Sequence, residues 1–313
     1  MRDVTVLAAG GTISSVEGGA RLGAEALAEG LLVQARTLLT VNGPQLTNAD
    51  ALTLAAAAVA EIGTGHGVVL TSGTDTIEEL AVLCDAFLGA DPTHPPVVVT
   101  GAIRSADLPG ADGPANLRDA IACAANLDDV GAVVCFAGEI HAARAVRKVD
   151  STGPGAFGSP RHGPIGRVAE GRAALFARPL RAPALAVPSS LDFRVPIVST
   201  WLGDDGDLLR AAIAAGCDGL VLAGLGAGHL PPPVLAALGD APAQMPVVFT
   251  VRPGRGLQLR STYAFEGSER DVLATGVIEA ATLSAPAARM LLLAGLGNGL
   301  GAEALRPLFA LGA

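Results

Sequence analysis

Three polar clusters stand at turns in a chain otherwise poor in polar groups, and each joins side chains capable of nucleophilic or proton-transfer work. The first is Ala8-Ala9-Gly10-Gly11-Thr12-Ile13-Ser14-Ser15. Its paired glycines let the backbone turn sharply and come close to a ligand. The Thr12 hydroxyl beside such a turn is a candidate nucleophile, and the turn itself a candidate anion-binding nest. The plainer alternative is that Thr12 caps a helix. The second cluster is Thr71-Ser72-Gly73-Thr74-Asp75-Thr76-Ile77-Glu78-Glu79. Asp75 with Glu78, or Thr76 with Glu79, fits a helix capping box. A cap needs only one hydroxyl or carboxylate, however, and here five polar side chains flank Gly73. A hydroxyl beside a carboxylate can place a proton-transfer group and hold a substrate ammonium.

The third cluster, Arg144-Ala145-Val146-Arg147-Lys148-Val149-Asp150-Ser151-Thr152, reads as a surface hairpin but for one fact. Twenty of the 21 basic residues are arginine and the remaining one is Lys148. Lysine can give up its proton in a desolvated site, whereas arginine effectively cannot. Lys148 is therefore a candidate base, or a charged group that orients partners, with compositional chance as the plain alternative. His66, His94, His141, His162 and His229 show no HxH or HExxH spacing, so no zinc site and no metal is expected. The chain carries no P-loop, no G-x-S-x-G elbow and no G-x-G-x-x-G fingerprint, and no cofactor is expected.

These clusters must be held by regular elements. Apolar runs at 4–8, 68–70, 97–100 and 133–136 have strand length, and each ends in a Gly, Ser or Thr turn. Between them, 75–88 and 115–125 show the apolar spacing of helices packed on a sheet. The alternation predicts a larger N-terminal α/β domain over 1–180, a three-layer arrangement with helices on both faces of a largely parallel sheet. Polar residues just after its strands then sit at the carboxyl edge, where such folds place ligands. A proline-rich stretch, 181–193, reads as a linker. Beyond it, 194–313 reads as a smaller α/β domain with a parallel sheet built from strands at 195–200, 219–223 and 247–251. Helices are expected at 286–294, opened by Pro286 and closed by Gly295, and at 302–311 despite Pro307.

Composition narrows the class. Of 313 residues 50% are hydrophobic, 16% charged and only 3% aromatic, which excludes extended disorder. A formal net charge of −9 argues against nucleic acid or an anionic membrane as partner. No stretch approaches the roughly 20 apolar residues of a membrane span. Cys84, Cys123, Cys135 and Cys217 lie in apolar surroundings without CxxC spacing and read as buried, reduced thiols. Met1-Arg2-Asp3 leads straight into a strand with no signal-peptide h-region, and a cytoplasmic enzyme is expected.

Taken together, Ala9-Gly10-Gly11-Thr12-Ile13, Ser72-Gly73-Thr74-Asp75-Thr76 and the lone Lys148 resemble, in order and spacing, the bacterial-type L-asparaginases. The stretch from Gly219 to His229 and the run Ala274-Thr275-Gly276 leading to Ala287-Ala288-Arg289 are similar to that family's second domain. The resemblance implies an amidohydrolase that converts L-asparagine and water to L-aspartate and ammonia. In it Thr12 would attack the side-chain amide and form an acyl-enzyme. Thr74, Lys148 and Asp75 would form an adjacent triad, with the Thr74 N–H, beside Gly11 and Gly73, holding the oxyanion. Asp75 and Gln45 would hold the substrate's α-ammonium. It also implies a homo-oligomer, a dimer of dimers, with Glu266 the nearest candidate for an acidic residue lent by a neighbouring subunit.

Two departures from the family pattern stand out. Gly43-Pro44-Gln45 has proline where the family often carries a serine that grips the α-carboxylate. Proline offers neither hydroxyl nor N–H, which leaves Ser72 or backbone amides for that task. Residues 14–21 carry no tyrosine where the family usually has one on a mobile lid, implying a reduced lid. The alternatives are a broader glutaminase-asparaginase and a non-catalytic amino-acid-binding protein of the same fold. A tRNA-linked amidotransferase subunit shares the motifs, and the acidic balance speaks against it.

Overall fold

The computed structural model describes residues 2–16, 19–280 and 282–310. The middle of the 14–21 segment, the first residue and the end of the 302–311 helix reading lie outside the described residues. The chain divides into two compact units, Met1–Val187 and Pro188–Ala313.

In the first unit, β1 (Val4–Gly10), β2 (Gln34–Val41), β3 (Gly67–Thr71), β4 (Val97–Thr100) and β5 (Ala132–Phe136) lie parallel in the order β2-β1-β3-β4-β5. β6 (Glu139–Ala142) turns back antiparallel on β5. β7 (Arg147–Lys148) and β8 (Phe157–Gly158) form a small ribbon of their own. β9 (Gly166–Ala169) and β10 (Arg172–Leu175) extend the sheet antiparallel beyond β6. The sheet is thus parallel through its first half and antiparallel at one end. β1, β3, β4 and β5 are buried at every residue, the pattern of strands covered on both faces.

The connections carry α1 (Ala24–Leu27), α2 (Asn48–Ile62), α3 (Ile77–Leu88) and α4 (Gly113–Asn126). α2 opens on a capping box: Thr47 Oγ1 accepts the Asp50 N–H at 3.2 Å and Asp50 Oδ2 accepts the Thr47 N–H at 2.9 Å. α4 packs Leu117, Ala120, Cys123 and Ala124 against Val6, Val69, Val98 and Val133. α2 and α3 pack against each other and the sheet. The order β2-β1-β3 reverses direction between β1 and β3, creating the crevice at the carboxyl ends of strands where open α/β sheets bind ligands.

The second unit holds β11 (Ile197–Ser199), β12 (Leu220–Gly224), β13 (Val247–Val251) and β14 (Ile278–Glu279), all parallel and adjacent in chain order. Its helices are α5 (Asp207–Ala214), α6 (Pro232–Leu238), α7 (Ala241–Gln244), α8 (Glu269–Ala274), α9 (Ala285–Gly297) and α10 (Ala302–Phe309). α9 starts at Ser284, whose hydroxyl accepts the Ala287 N–H at 3.2 Å. It runs through Gly295 rather than ending there. A Cβ at Gly295 would stand 2.2 Å from Leu305 Cδ2, so glycine serves the close approach of α10, not a helix stop.

Residues 177–196 form neither helix nor strand. Part of this stretch is nonetheless tied to the first unit: Leu185 N–H donates to Ala86 O at 2.8 Å and Arg181 Nη2 to Gly89 O. Cys84, Cys123 and Cys135 are buried and Cys217 half-buried, all unpaired. Burial pushes the Cys84 thiol up to about 12, which makes it inert. Among the described residues no helix is long and apolar enough to cross a membrane. No group of three or more metal-capable side chains occurs among them either.

Candidate active site

Three turns meet at the carboxyl ends of β2, β1 and β3, and glycine is what lets them. Gly11, with φ +82°, would place a Cβ 2.3 Å from Gly73 N, and a Cβ on Gly73 would lie 2.7 Å from Gly43 Cα. Only bare backbone fits such spacing, so the Gly10-Gly11, Gly43 and Gly73 turns are pressed together. The Gly11 carbonyl is heavily donated to. It accepts from Ser14 Oγ at 2.9 Å, Ser15 Oγ at 3.1 Å and Arg21 Nη1 at 2.8 Å. Arg21 also reaches Ser15 Oγ at 3.0 Å and Asn42 Oδ1. One arginine therefore ties the turn after β1 to the turn after β2.

Thr12 opens a short 3-10 turn, Thr12–Ser14, whose cap residue is Gly11. Its side chain thus does not serve as a helix cap. Among the described residues no side chain hydrogen-bonds its hydroxyl. After β3, Thr74–Thr76 forms a second 3-10 turn and α3 begins only at Ile77. Thr76 is the cap residue of α3, yet its hydroxyl makes no cap bond and is buried without a partner. The capping-box alternative does not account for this cluster.

Asp75 and Thr74 are engaged elsewhere. Lys148, at the end of β7, donates from Nζ to Thr74 Oγ1 at 2.9 Å and to Asp75 Oδ1 at 2.7 Å. The lysine side chain is 18% exposed and the aspartate 56%, so the pair lies at a wall facing solvent rather than in the core. Its neighbour Arg147 is pulled below the usual guanidinium range by burial, with the Glu78 charge opposing. The high reference value of arginine keeps it charged.

Thr12, Thr74, Asp75 and Lys148 together line one open cavity of about 430 Å³. Such a volume suits a small polar metabolite. Ile103, Arg104, Ser105, Leu108, Ser151 and Thr152 complete the lining. The four candidate catalytic residues, spread over three clusters in sequence, are thus brought to one place. The four candidate binding residues of this unit are not among the residues that line it. Gly11 and Gly73 shape the turns. Ser72 is buried with its hydroxyl unpartnered. Gln45 is exposed, its Oε1 accepting from Asn42 N at 3.2 Å and Asn42 Nδ2 at 3.0 Å. Glu266 belongs to the second unit, on an exposed stretch before α8.

Sequence reasoning missed the loop after β4. Arg104 and Ser105 lie just beyond Thr100-Gly101-Ala102-Ile103, and the rule that polar residues beyond a parallel strand face the ligand crevice applies to them equally.

Residues 3–181 match the family model described as asparaginase, N-terminal, and 194–309 match the glutaminase/asparaginase C-terminal domain. The chain belongs to the asparaginase family. A probable L-asparaginase of Deinococcus radiodurans is 36% identical over 291 residues, 91% of this chain and 87% of that protein. An L-asparaginase of Bacillus licheniformis is 33% identical over 227 residues, 72% of this chain and 69% of that protein. Among solved structures, a probable cytoplasmic L-asparaginase from Campylobacter jejuni superposes with a TM-score of 0.86 at 25% identity, covering 99% of this chain and all of the other. The family likeness therefore spans both units and both sheets.

Proposed function

We propose that this member of the asparaginase family hydrolyses the side-chain amide of L-asparagine to L-aspartate and ammonia through an acyl-enzyme on Thr12. The observation that carries the reading is the Lys148 ammonium shared between Thr74 Oγ1 and Asp75 Oδ1 on the wall of a cavity that Thr12 also lines. In the first step the Thr12 oxygen bonds to the amide carbon, and the carbonyl becomes an oxyanion held by backbone N–H donors at the glycine turns. Preorganised donors of this kind contribute about 3–4 kcal/mol to barrier lowering. Collapse breaks the C–N bond, and the departing nitrogen takes up a proton and leaves as ammonia. Water then adds to the ester, the C–O bond to Thr12 breaks, and L-aspartate is released with the hydroxyl restored. Thr74, whose hydroxyl accepts from Lys148, would pass the Thr12 hydroxyl proton to the departing nitrogen in the first step and a proton of the attacking water back to Thr12 in the second. Asp75, exposed on one side, presents its carboxylate to the substrate ammonium.

The test is ammonia release from the purified chain given L-asparagine and then L-glutamine. Release from asparagine alone supports an asparaginase. Comparable release from glutamine supports the broader glutaminase-asparaginase, a reading kept open by the cavity volume and by the description of the matched C-terminal model. No release from either, with binding retained, favours an amino-acid-binding protein. The same reading includes assembly into a dimer of dimers, with Glu266 offered to a neighbouring copy; a fully active monomer by light scattering refutes it. It also places the enzyme in the cytoplasm, whose reducing conditions suit four unpaired cysteines.

A further inference from the structure

We infer that Arg104 receives the α-carboxylate of the substrate amino acid, an inference that rests on the asparagine reading above. Among the described residues, three charged side chains line the cavity: Asp75, Arg104 and Lys148. The Lys148 ammonium is committed to Thr74 and Asp75. That leaves one cation. The Arg104 guanidinium donates from Nη1 to Gly110 O at 3.1 Å, and among the described residues it has no carboxylate partner. Its Nε and Nη2 donors remain for a ligand, and arginine's planar fork matches a carboxylate with two parallel bonds.

The loop that carries Arg104 is fixed from several sides. Asp112 accepts the Ile103 N–H at 3.0 Å and the Arg104 N–H at 2.8 Å. Asn116 Nδ2 donates to Gly101 O at 3.0 Å and to Asp112 Oδ2 at 3.2 Å. Ala106 N–H donates to Ser15 O at 3.0 Å, joining the loop to the turn that bears Thr12. The backbone of Arg104 is thus anchored both to the helix behind it and to the nucleophile's own turn. Little backbone ordering is left to be done when a ligand binds.

Charge sorts the substrate in the same way. Among the described residues, two cations and one anion line this cavity in a chain whose formal net charge is −9. A free amino acid brings one ammonium and one carboxylate. Asp75 takes the first, and Arg104 is the unpaired counterpart of the second. An amide without the α-carboxylate leaves Arg104 unanswered, so the pair selects free α-amino acids.

The test compares L-asparagine with 3-aminopropanamide, which is asparagine without its α-carboxylate, and the inhibitors L-aspartate with β-alanine, related in the same way. Wild type, Arg104→Met and Arg104→Lys are assayed, each first shown folded by its melting curve. Arg104→Met should raise KM for asparagine and Ki for L-aspartate about 10- to 100-fold, the worth of a charge-assisted pair at a solvent-facing wall. The kcat should move far less, β-alanine should inhibit as before, and Arg104→Lys should restore much of the loss. L-aspartate and β-alanine each inhibiting Arg104→Met as they do wild type overturns the inference. Should wild type release no ammonia from asparagine, the amidohydrolase reading falls. Calorimetric binding of L-aspartate and β-alanine to the two proteins then still decides the role of Arg104.

Discussion

Replacing Lys148 with methionine removes one ammonium from between two oxygens, and the structure lets the stability and activity costs be separated. The ion pair with Asp75 is cheap to lose, because an aspartate 56% exposed gains little from it, about 1 kcal/mol at most. The Thr74 hydroxyl is nearly buried, at 7% exposure, and losing a charged donor there costs about 1.5–3 kcal/mol. Lys148→Met should therefore lower the melting temperature by only a few degrees. If Thr74 moves protons only when Lys148 sets its hydroxyl, the same change should lower kcat by about two to four orders of magnitude, the usual range for general acid–base groups. Lys148→Arg sharpens the reasoning. It keeps the charge, but the longer side chain and larger planar head of arginine do not overlay the compact ammonium that donates to Thr74 Oγ1 at 2.9 Å and Asp75 Oδ1 at 2.7 Å. A proton-transfer role predicts that both variants fail alike. A purely electrostatic role predicts that arginine is tolerated better. The assay is coupled ammonia detection at saturating asparagine, with melting curves in parallel. A kcat near wild type in both variants refutes the reasoning and leaves the solitary lysine a matter of composition.

Three further outcomes follow from the same geometry. Thr12→Ala should abolish ammonia release with an unchanged melting curve, since no described side chain depends on its hydroxyl; retention of more than about a tenth of the rate removes Thr12 as nucleophile. Gly73→Ala adds a Cβ 2.7 Å from Gly43 backbone, so it should cost about 1–3 kcal/mol of stability and depress activity through the parted turns; thermal and kinetic behaviour like wild type would contradict that crowding. His141 is fully buried beside Ser159 Oγ at 3.0 Å, and burial holds its pKa below 6.5 against the opposing Glu139 charge. Below that value the unfolded chain takes up a proton that the folded one resists. The contribution is thus present above pH 6.5 and lost as pH falls, and His141→Gln should flatten the acid-side decline of melting temperature; parallel curves for the two proteins would show that His141 is not the group responsible.

Much of the frame was legible from local pattern. The valine-rich runs that became β1, β3, β4, β5 and β13 are buried on both faces, and a strand covered on both sides must be apolar at every position. β2 was not legible, because this edge strand sets exposed Gln34, Arg36, Thr37 and Thr40 among half-buried Ala35, Leu38, Leu39 and Val41 and leaves no continuous buried run. β14, two residues long, is too short to carry a period. Gly295 misled because a glycine late in a helix commonly marks its end, and here the cause was Leu305 on another helix.

The candidate site divides along the same line. Residue type and spacing marked Thr12, Thr74, Asp75 and Lys148 as candidates, with capping and compositional alternatives open, and the resemblance to the asparaginases supplied the expected role of each. Their convergence is tertiary. Lys148 lies 74 residues beyond Thr74, and only the sheet order and the β7–β8 ribbon bring its Nζ to that hydroxyl. The glycines announced a tight turn but not what pressed against it, which is backbone from two other strands. Gln45, a candidate by its amide, is shown by the fold to accept from Asn42 N and Nδ2 through its Oε1. Arg104 and Arg21 are two among twenty arginines, indistinguishable by type. One became a cavity wall and the other a clasp on the Gly11 carbonyl because of the loops that hold them, and a long charged side chain takes its role from whatever the fold sets within its reach.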